Sequence, residues 1–144
     1  MSPWQSPLIA LTLFSLMTPV VAQSQGLMAA DRTAIQTVIE RQLAAFRQDD
    51  AAGAFAVASP AIQAKFGTPE GFMHMVQTAY RPVYRPRHVV FQELQILDGV
   101  PTQPVLLVGP DGVPVMAFYM MQKQPDGAWK IDGCYLTALK SERL

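Results

Sequence analysis

Hydrophobic positions in the first half of the chain recur with the period of an α-helix. From Asp31 onward, apolar residues appear every three or four positions and define one face for burial. The residues of that face are Ile35, Val38, Ile39, Leu43 and Phe46. Asp31 is suited to cap this helix, and the Asp49-Asp50 pair is suited to end it and to cap a second helix over about residues 51–58. The pattern predicts that helices fill the first half of the chain.

Two further helices are predicted from their ends. Ser59-Pro60 begins a short third helix, which ends at Gly67. Thr68-Pro69-Glu70 combines an N-cap residue, a first-turn proline and a first-turn acid, and so predicts a fourth helix to about Ala79. Residues 80–87, which contain two prolines, are then expected to form an extended connector.

The rest of the chain has the composition of β-strands. Segments rich in β-branched and aromatic residues cover residues 89–97, 105–108, 115–123 and 129–139. The sequences between them favour tight turns: Asp98-Gly99, Pro110-Asp111-Gly112 and Pro125-Asp126-Gly127. We therefore expect an α+β fold, in which N-terminal helices pack on a curved four-stranded antiparallel sheet and enclose a pocket.

One predicted strand is apolar on both faces. Its residues Met116, Phe118 and Met120 alternate with Ala117, Tyr119 and Met121. The helices can cover only one face of the sheet, so the other face predicts a homodimer through the sheet or a ligand bound against it.

The N-terminal segment has the features of an export signal. No Lys, Arg, Asp or Glu precedes Asp31, and Leu8 to Met17 is a nearly continuous apolar run. This run is shorter than the roughly 20 residues that cross a bilayer, and Val20-x-Ala22 resembles a signal-peptidase site. We expect a signal peptide over residues 1–22, a flexible lead-in over 23–30, one domain over 31–144, a periplasmic or secreted location, and no stable membrane span after cleavage. An uncleaved anchor is the alternative, because the segment lacks the usual basic residues before the apolar run.

Charge and cysteine content remove several classes of function. The chain has 11 basic and 11 acidic residues, so no net field recruits nucleic acid, and we expect no nucleic-acid partner. Cys134 is the single cysteine, which excludes an internal disulfide and the paired cysteines of structural zinc sites. No metal and no other cofactor is expected, and a buried rather than reactive thiol is the expectation for Cys134.

Three separated blocks resemble a known family. They are Phe66-Gly67-Thr68-Pro69-Glu70, Val83-Tyr84-Arg85-Pro86-Arg87 and Gln124-Pro125-Asp126-Gly127-Ala128-Trp129-Lys130-Ile131-Asp132-Gly133-Cys134. Their order and spacing resemble the exported bacterial family catalogued as domain of unknown function 4864, over nearly all of the chain after the signal segment. The resemblance implies a cone-shaped fold similar to nuclear transport factor 2, whose superfamily includes isomerases, dehydratases and non-catalytic binding modules. Such a fold does not by itself assign a function.

Candidate catalytic residues are few. An isomerase or dehydratase needs a base inside an apolar pocket and a hydrogen-bond donor opposite it. Asp132, in the last strand, is the first candidate for the base, with Tyr119 and Tyr135 as donors. His74, one helical turn after Glu70, is the second candidate. The alternatives are a solvent-facing Asp132 paired with Lys or Arg, and a surface position for His74.

The predicted connector carries a cluster of basic and aromatic residues. Guanidinium groups match the geometry of carboxylates and phosphates, so this cluster is a candidate site for an anionic ligand. Its members are Arg81, Tyr84, Arg85 and Arg87. The alternative is that these arginines pair with acids of the same chain, Glu40, Asp49 or Glu93.

The sequence favours a small-ligand-binding or interaction module of the cell envelope, whose ligand is a small apolar or anionic molecule. An enzyme of the isomerase or dehydratase type and a non-catalytic structural homodimer are the alternatives. An open cavity of roughly 300 Å³ or more, lined by Asp132, His74 or Tyr135, would favour a ligand or catalytic site.

Overall fold

The computed structural model describes residues 20–139, with side chains from residue 29 onward, and the isolated Pro3. Residues 1–19 of the expected signal peptide therefore lie outside the described part, Pro3 apart. Helices precede strands along the described chain. The helices are α1 (Val20–Arg47), α2 (Ala51–Ala56), α3 (Pro60–Phe66), α4 (Pro69–Ala79) and α5 (Arg81–Tyr84). The strands are β1 (His88–Phe91), β2 (Gln95–Leu97), β3 (Val100–Val108), β4 (Pro114–Lys123) and β5 (Trp129–Ala138). The α+β fold class is confirmed.

The predicted helix caps are present. The side chains of Asp50, Ser59 and Thr68 each accept the backbone N–H of the residue three positions later, at 3.0, 3.3 and 3.1 Å. Each cap therefore satisfies one of the N–H groups that the first turn of a helix leaves without a partner. Gly67, with φ of 75°, ends α3. The short connections between α2, α3 and α4 are thus fixed by local chemistry.

The start of the first helix differs from the prediction. Helix α1 begins at Val20 instead of Asp31, and it includes residues 23–30, which were expected to be a flexible lead-in. These residues contain Ala, Gln, Leu and Met, which favour helix. Asp31 lies inside the helix and does not cap it. Its Oδ1 accepts hydrogen bonds from Trp129 Nε1 at 3.1 Å and from Lys123 Nζ at 3.5 Å, so Asp31 ties α1 to the sheet.

The connector after α4 is also not fully extended. Helix α5 occupies residues 81–84, and the N–H groups of Tyr84 and Arg85 each bond the carbonyl oxygen four residues earlier at 3.0 Å. Pro82 lies in the first turn, where a missing N–H costs no helical hydrogen bond. The expectation that the two prolines exclude a helix was therefore wrong for this turn.

The sheet is an antiparallel meander with one division. Strands are ordered β1-β3-β4-β5, and β2 pairs with the other end of β3. The predicted first strand, residues 89–97, is interrupted around Gln92. The buried amide of Gln103 donates to the carbonyl oxygens of Gln92 at 2.7 Å and Pro104 at 2.9 Å, and so bridges the interruption. Strand β3 begins at Val100, five residues before its predicted start.

A β-bulge lies in the last strand. Met120 pairs with Gly133, but the next residue, Met121, pairs with Ile131. Asp132 is therefore the extra residue of β5, and an extra residue changes the direction of the side chains around it. As a result, Ile131 and Cys134, three positions apart, both pair with inward-facing residues of β4.

The core lies between the helices and one face of the sheet. We call this the inner face; Ala117, Tyr119 and Met121 of β4 are buried on it. Phe72 of α4 packs against three other phenylalanines, with ring centroids 5.7–6.0 Å away. Within the part of the chain that the structure describes, none of the helices combines the length and the apolar character that a membrane crossing requires.

Candidate functional site

A pocket of about 520 Å³ lies between the helices and the inner face of the sheet. Its walls are mainly apolar side chains of α3 and α4, including Ile62, Phe66, Phe72 and Met75. Strands β4 and β5 contribute the opposite wall. The volume exceeds the 300 Å³ set above and falls in the range of pockets for small molecules.

Tyr119 brings a polar group into this apolar setting. Its side chain lines the pocket and is 0% exposed. The hydroxyl makes no hydrogen bond with any residue that the structure describes. Burial raises the pKa of the phenol well above its ordinary value, and the adjacent Cys134 adds to the shift. The group is therefore a neutral hydroxyl, able to donate a hydrogen bond. An unpaired buried polar group costs about 1–3 kcal/mol.

Cys134 faces Tyr119 across the β4–β5 pair and also lines the pocket. Burial raises the pKa of its thiol to about 12. Because the thiolate is the nucleophile, such a thiol is unreactive near neutral pH. Its backbone carbonyl accepts a hydrogen bond from the Tyr80 hydroxyl at 3.1 Å. Cys134 thus behaves as a small apolar part of the wall, as the sequence led us to expect.

Asp132 places a carboxylate at the pocket. The bulge turns this residue toward the helices, where its Oδ1 accepts the hydroxyl proton of Ser59 at 2.7 Å. Ser59 is completely buried and also caps α3, so it has a fixed position. The alternative of a solvent-facing Asp132 paired with a cation does not describe this geometry. The nearby Lys130 instead donates to the carbonyl oxygen of Ala56 at 2.6 Å.

The connection between α2 and α3 holds Ser59 at the strand. The N–H of Ser59 donates to the carbonyl oxygen of Ile131 at 2.8 Å, and the N–H of Ile131 donates to Val57 at 2.9 Å. This connection therefore forms a short parallel bridge with the edge of β5 that does not pair with β4. The same contact fixes the Ser59 hydroxyl beside Asp132.

Comparison with known families agrees with the resemblance seen in the sequence. A family model described as "Domain of unknown function (DUF4864)" matches residues 28–144, which is most of the chain. The chain belongs to this family. No curated protein and no solved structure gives a significant match to this DUF4864 domain. The proposed kinship with the cone-shaped superfamily stays a prediction.

The other two catalytic candidates of the DUF4864 domain lie away from the pocket. His74 is exposed on α4, and it does not line the pocket. Tyr135 is 42% exposed on the opposite face of the sheet, which we call the outer face, and its ring stacks on Phe118 with centroids 4.9 Å apart. Only Asp132 and Tyr119 of the predicted acid–base set come together. Among the described residues, no group of three His, Cys, Asp or Glu side chains is arranged to hold a metal ion.

The basic cluster after α4 makes contacts within the domain. Arg85 Nη2 lies 3.1 Å from both carboxylate oxygens of Asp49, and its Nη1 donates to the carbonyl of Phe46. Tyr84 donates its hydroxyl proton to the same Asp49, and the Arg85 guanidinium lies over the Tyr84 ring at 4.0 Å. These contacts join α5 to the end of α1. They correspond to the alternative in which the arginines pair with acids of the same chain.

The pKa of Asp49 is lowered, mainly by the hydrogen bond from Tyr84. The charge of Arg85 and its hydrogen bonds lower this pKa further, and desolvation opposes the shift. Arg81 and Arg87, the remaining members of the predicted anion site, are exposed and do not line the pocket. The four residues of the cluster therefore do not form one site with the pocket.

Two pocket residues were not singled out in the sequence as site residues. Ser59 was identified only as the start of a helix, although a buried cap serine is also a donor for a second group. Gln42, which is buried in α1, lines the pocket and donates to the carbonyl oxygen of Ala54 at 3.2 Å. The sequence offered one signal for Gln42: it is a polar residue next to Leu43, which belongs to the predicted buried face of the helix.

Proposed function

We propose that this DUF4864 domain binds a small, mainly apolar molecule that carries a hydrogen-bond acceptor, such as a carbonyl group. The observation that carries the proposal is the Tyr119 hydroxyl, which has no hydrogen-bond partner among the described residues and belongs to a side chain that lines a pocket of about 520 Å³. An acceptor on the ligand would take up this donor, while the apolar side chains of α3 and α4 would surround the rest of the molecule.

The expected selectivity follows from the environment of the hydroxyl. A hydrogen bond that replaces one made to water typically contributes about 0.5–1.5 kcal/mol net. Since about 1.4 kcal/mol is a factor of ten in affinity, an acceptor should improve binding by roughly three- to tenfold. Apolar contact supplies the remaining affinity, because the pocket offers mainly hydrocarbon surface.

The test compares two ligands of the same shape. We expect 2-acetylnaphthalene and 2-isopropylnaphthalene both to bind the purified protein, measured by ligand-detected NMR titration. Tyr119→Phe should weaken binding of the ketone several-fold and leave binding of the hydrocarbon nearly unchanged. Tyr135→Phe, on the outer face, is the matched control and should affect neither.

Two results would contradict the proposal. One is that neither naphthalene binds. The other is that Tyr119→Phe changes the affinity of the ketone and of the hydrocarbon equally, because the hydroxyl would then have no role in recognising an acceptor.

A proton-transfer enzyme is the second candidate function. The observation that favours it is that a carboxylate, Asp132, and a neutral hydroxyl donor, Tyr119, line the same pocket. In such an enzyme Asp132 would remove a proton next to a carbonyl group, and Tyr119 would donate to the resulting enolate oxygen. Catalysed deuterium exchange at the α-carbon of 2-tetralone, lost in Asp132→Asn, would support this function over simple binding.

We further propose that the domain is exported and works in the cell envelope or outside the cell. The apolar run from Leu8 to Met17 and the Val20-x-Ala22 site support this location. Cleavage after Ala22 would remove the first three of the 28 residues of α1 and leave the rest of the helix. Mass spectrometry of the protein from a periplasmic or culture fraction should give a chain that begins at Gln23. An intact Met1 terminus in the cytoplasmic fraction would contradict this proposal.

A further inference from the structure

The pocket contains a carboxylate that no cation of the described chain neutralises. The ion pairs among the described residues are Arg85–Asp49 and Lys123–Asp31, both away from Asp132. The ammonium group of Lys130, two residues before Asp132, instead donates a hydrogen bond to the backbone carbonyl of Ala56. Asp132 is therefore an acid of the pocket wall whose charge has no partner within the described protein.

The carboxylate is also oriented. Ser59 occupies one oxygen, Oδ1, and the bulge in β5 fixes the backbone on which the side chain stands. The other oxygen, Oδ2, receives no hydrogen bond from the described residues. A half-buried carboxylate with one oxygen held and one available is prepared to accept a charge-assisted hydrogen bond.

The surroundings strengthen an interaction with a cation. Phe46, Phe66 and Phe72 line the same pocket, and apolar walls of this kind screen a charge less than bulk water does. Asp132 is half-buried, and among the described residues Ser59 alone donates a hydrogen bond to its carboxylate. One neutral hydrogen bond replaces only part of the hydration that a buried oxygen loses. A ligand cation at Oδ2 would supply the remaining compensation.

Lys65 is the one other charged residue that lines the pocket, and it lies at the far end of α3. Asp132 is bonded to the cap residue Ser59, whereas Lys65 is six residues further on, which corresponds to about 9 Å along a helix. The Lys65 side chain is exposed, with Nζ 5.4 Å from the centre of the Phe66 ring. Solvent therefore screens its charge, and it leaves the Asp132 end of the pocket available to a cation.

We infer that the ligand of this pocket carries a protonated amine, which binds Asp132, on an apolar body that fills the space between the helices and the sheet. The inference rests on the proposed binding function and specifies its ligand class. Such a ligand places the ammonium group at Oδ2 and keeps the Ser59 hydrogen bond to Oδ1.

The experiment compares 2-(aminomethyl)naphthalene with 2-(hydroxymethyl)naphthalene, which have similar size and differ in charge. We expect the wild-type protein to bind the amine roughly tenfold or more tightly than the alcohol in calorimetric titrations at neutral pH. Asp132→Asn keeps the shape and the Oδ1 acceptor for Ser59. It should remove the preference for the amine and change the affinity for the alcohol less than about twofold.

Glu93→Gln is the matched control, because it makes the same change in net charge at an exposed site of the β1–β2 connection. It should retain the preference. The inference alone is overturned if the alcohol binds and the amine binds no more tightly, or if Glu93→Gln loses the preference as fully as Asp132→Asn. If none of the naphthalene probes binds, the proposed function and this inference both fail.

Discussion

The inner and outer faces of strand β4 have similar composition but different chemistry. Ala117, Tyr119 and Met121 on the inner face are at most 2% exposed, whereas Met116 and Phe118 on the outer face are only half-buried. Each face has a tyrosine. The Tyr119 side chain is 0% exposed and its hydroxyl has no partner among the described residues, whereas Tyr135 on β5 is 42% exposed. A phenol that water can reach gains little from a ligand acceptor. The Tyr119 phenol, under the helices, would gain more, because its hydroxyl has no hydrogen-bond partner among the described residues.

Hydrophobicity alone therefore does not separate the face that lines the pocket from the opposite face. The helices make the difference, because they enclose volume and exclude water on one side of the sheet only. Under the helices, burial raises the pKa values of Tyr119 and Cys134, and the Tyr119 hydroxyl has no hydrogen-bond partner among the described residues.

The largest expected difference concerns thiol reactivity. Because burial raises the pKa of Cys134 from 9.0 to about 12, its thiolate fraction at pH 8 should be about a thousandfold lower than that of an unperturbed thiol. Alkylation by iodoacetamide, followed by mass spectrometry, should be correspondingly slow in the native protein. In Cys134→Ala/Thr137→Cys the single thiol moves to the exposed outer face, and it should react at the rate of a free thiol. Equal rates in the two proteins would contradict the burial of Cys134.

Side-chain truncation should distinguish the two faces by stability. Phe72→Ala removes the ring that contacts three other phenylalanines under the helices and should cost about 3–5 kcal/mol in the free energy of unfolding. Phe118→Ala removes a half-buried ring of the outer face and should cost much less. Urea denaturation measures both values.

Phe118 also tests the predicted homodimer through the sheet. If two copies associate by their outer faces, Phe118→Ala should shift light scattering of the protein toward the monomer, and Phe72→Ala at a temperature where it remains folded should not. A wild-type protein that is monomeric at micromolar concentration would contradict the dimer.

Removing the two tyrosine hydroxyls should have opposite consequences. Tyr119→Phe takes away a buried hydroxyl that has no hydrogen-bond partner among the described residues, and it is expected to stabilise the unliganded protein by about 1 kcal/mol. Tyr135→Phe removes the hydroxyl of a side chain that is 42% exposed and should leave the melting temperature unchanged. Destabilisation by Tyr119→Phe would mean that this hydroxyl has a hydrogen-bond partner in the native protein.

The smallest effect on stability is expected outside both faces of the sheet, at the contacts of Tyr84 and Arg85 with Asp49 that join α5 to the end of α1. The pKa of Asp49 is lowered, so the folded state favours the ionised carboxylate, and its contribution to stability is present above the ordinary value of 3.8. That contribution is lost as the pH falls through the lowered pKa. Asp49→Asn should therefore reduce the melting temperature slightly at pH 7 and have no effect in strong acid. A constant difference across this range would exclude ionisation as its cause.

Local signals were sufficient to predict the fold class and most helix ends. The caps at Asp50, Ser59 and Thr68 act within three residues, so the sequence alone identifies them. Helix α5 was missed because the two prolines were interpreted together, although Pro82 alone lies in a tolerated first-turn position.

The pocket was harder to predict because its chemistry depends on contacts between distant residues. Asp132 faces the helices only because the pairing of β4 with β5 slips by one residue, and no feature of β5 alone specifies that slip. Its hydrogen bond to Ser59 joins positions 73 residues apart. The lack of a hydrogen-bond partner for the Tyr119 hydroxyl among the described residues likewise depends on all the elements packed around it. The pattern of the strand indicates only that the ring points inward.

The bridge between the α2–α3 connection and Ile131 has a further consequence for the behaviour of the chain at high concentration. Strand β5 is the last in the sheet, and unpaired backbone groups on a terminal strand can act as a template for aggregation with other chains. Backbone groups of Ser59 and Val57 occupy that position beside Ile131, and the Tyr80 hydroxyl occupies the carbonyl of Cys134. The contacts that hold Asp132 beside Ser59 thus also cover the middle of this strand edge. Protection of the strand edge and the position of the pocket carboxylate therefore depend on the same few contacts.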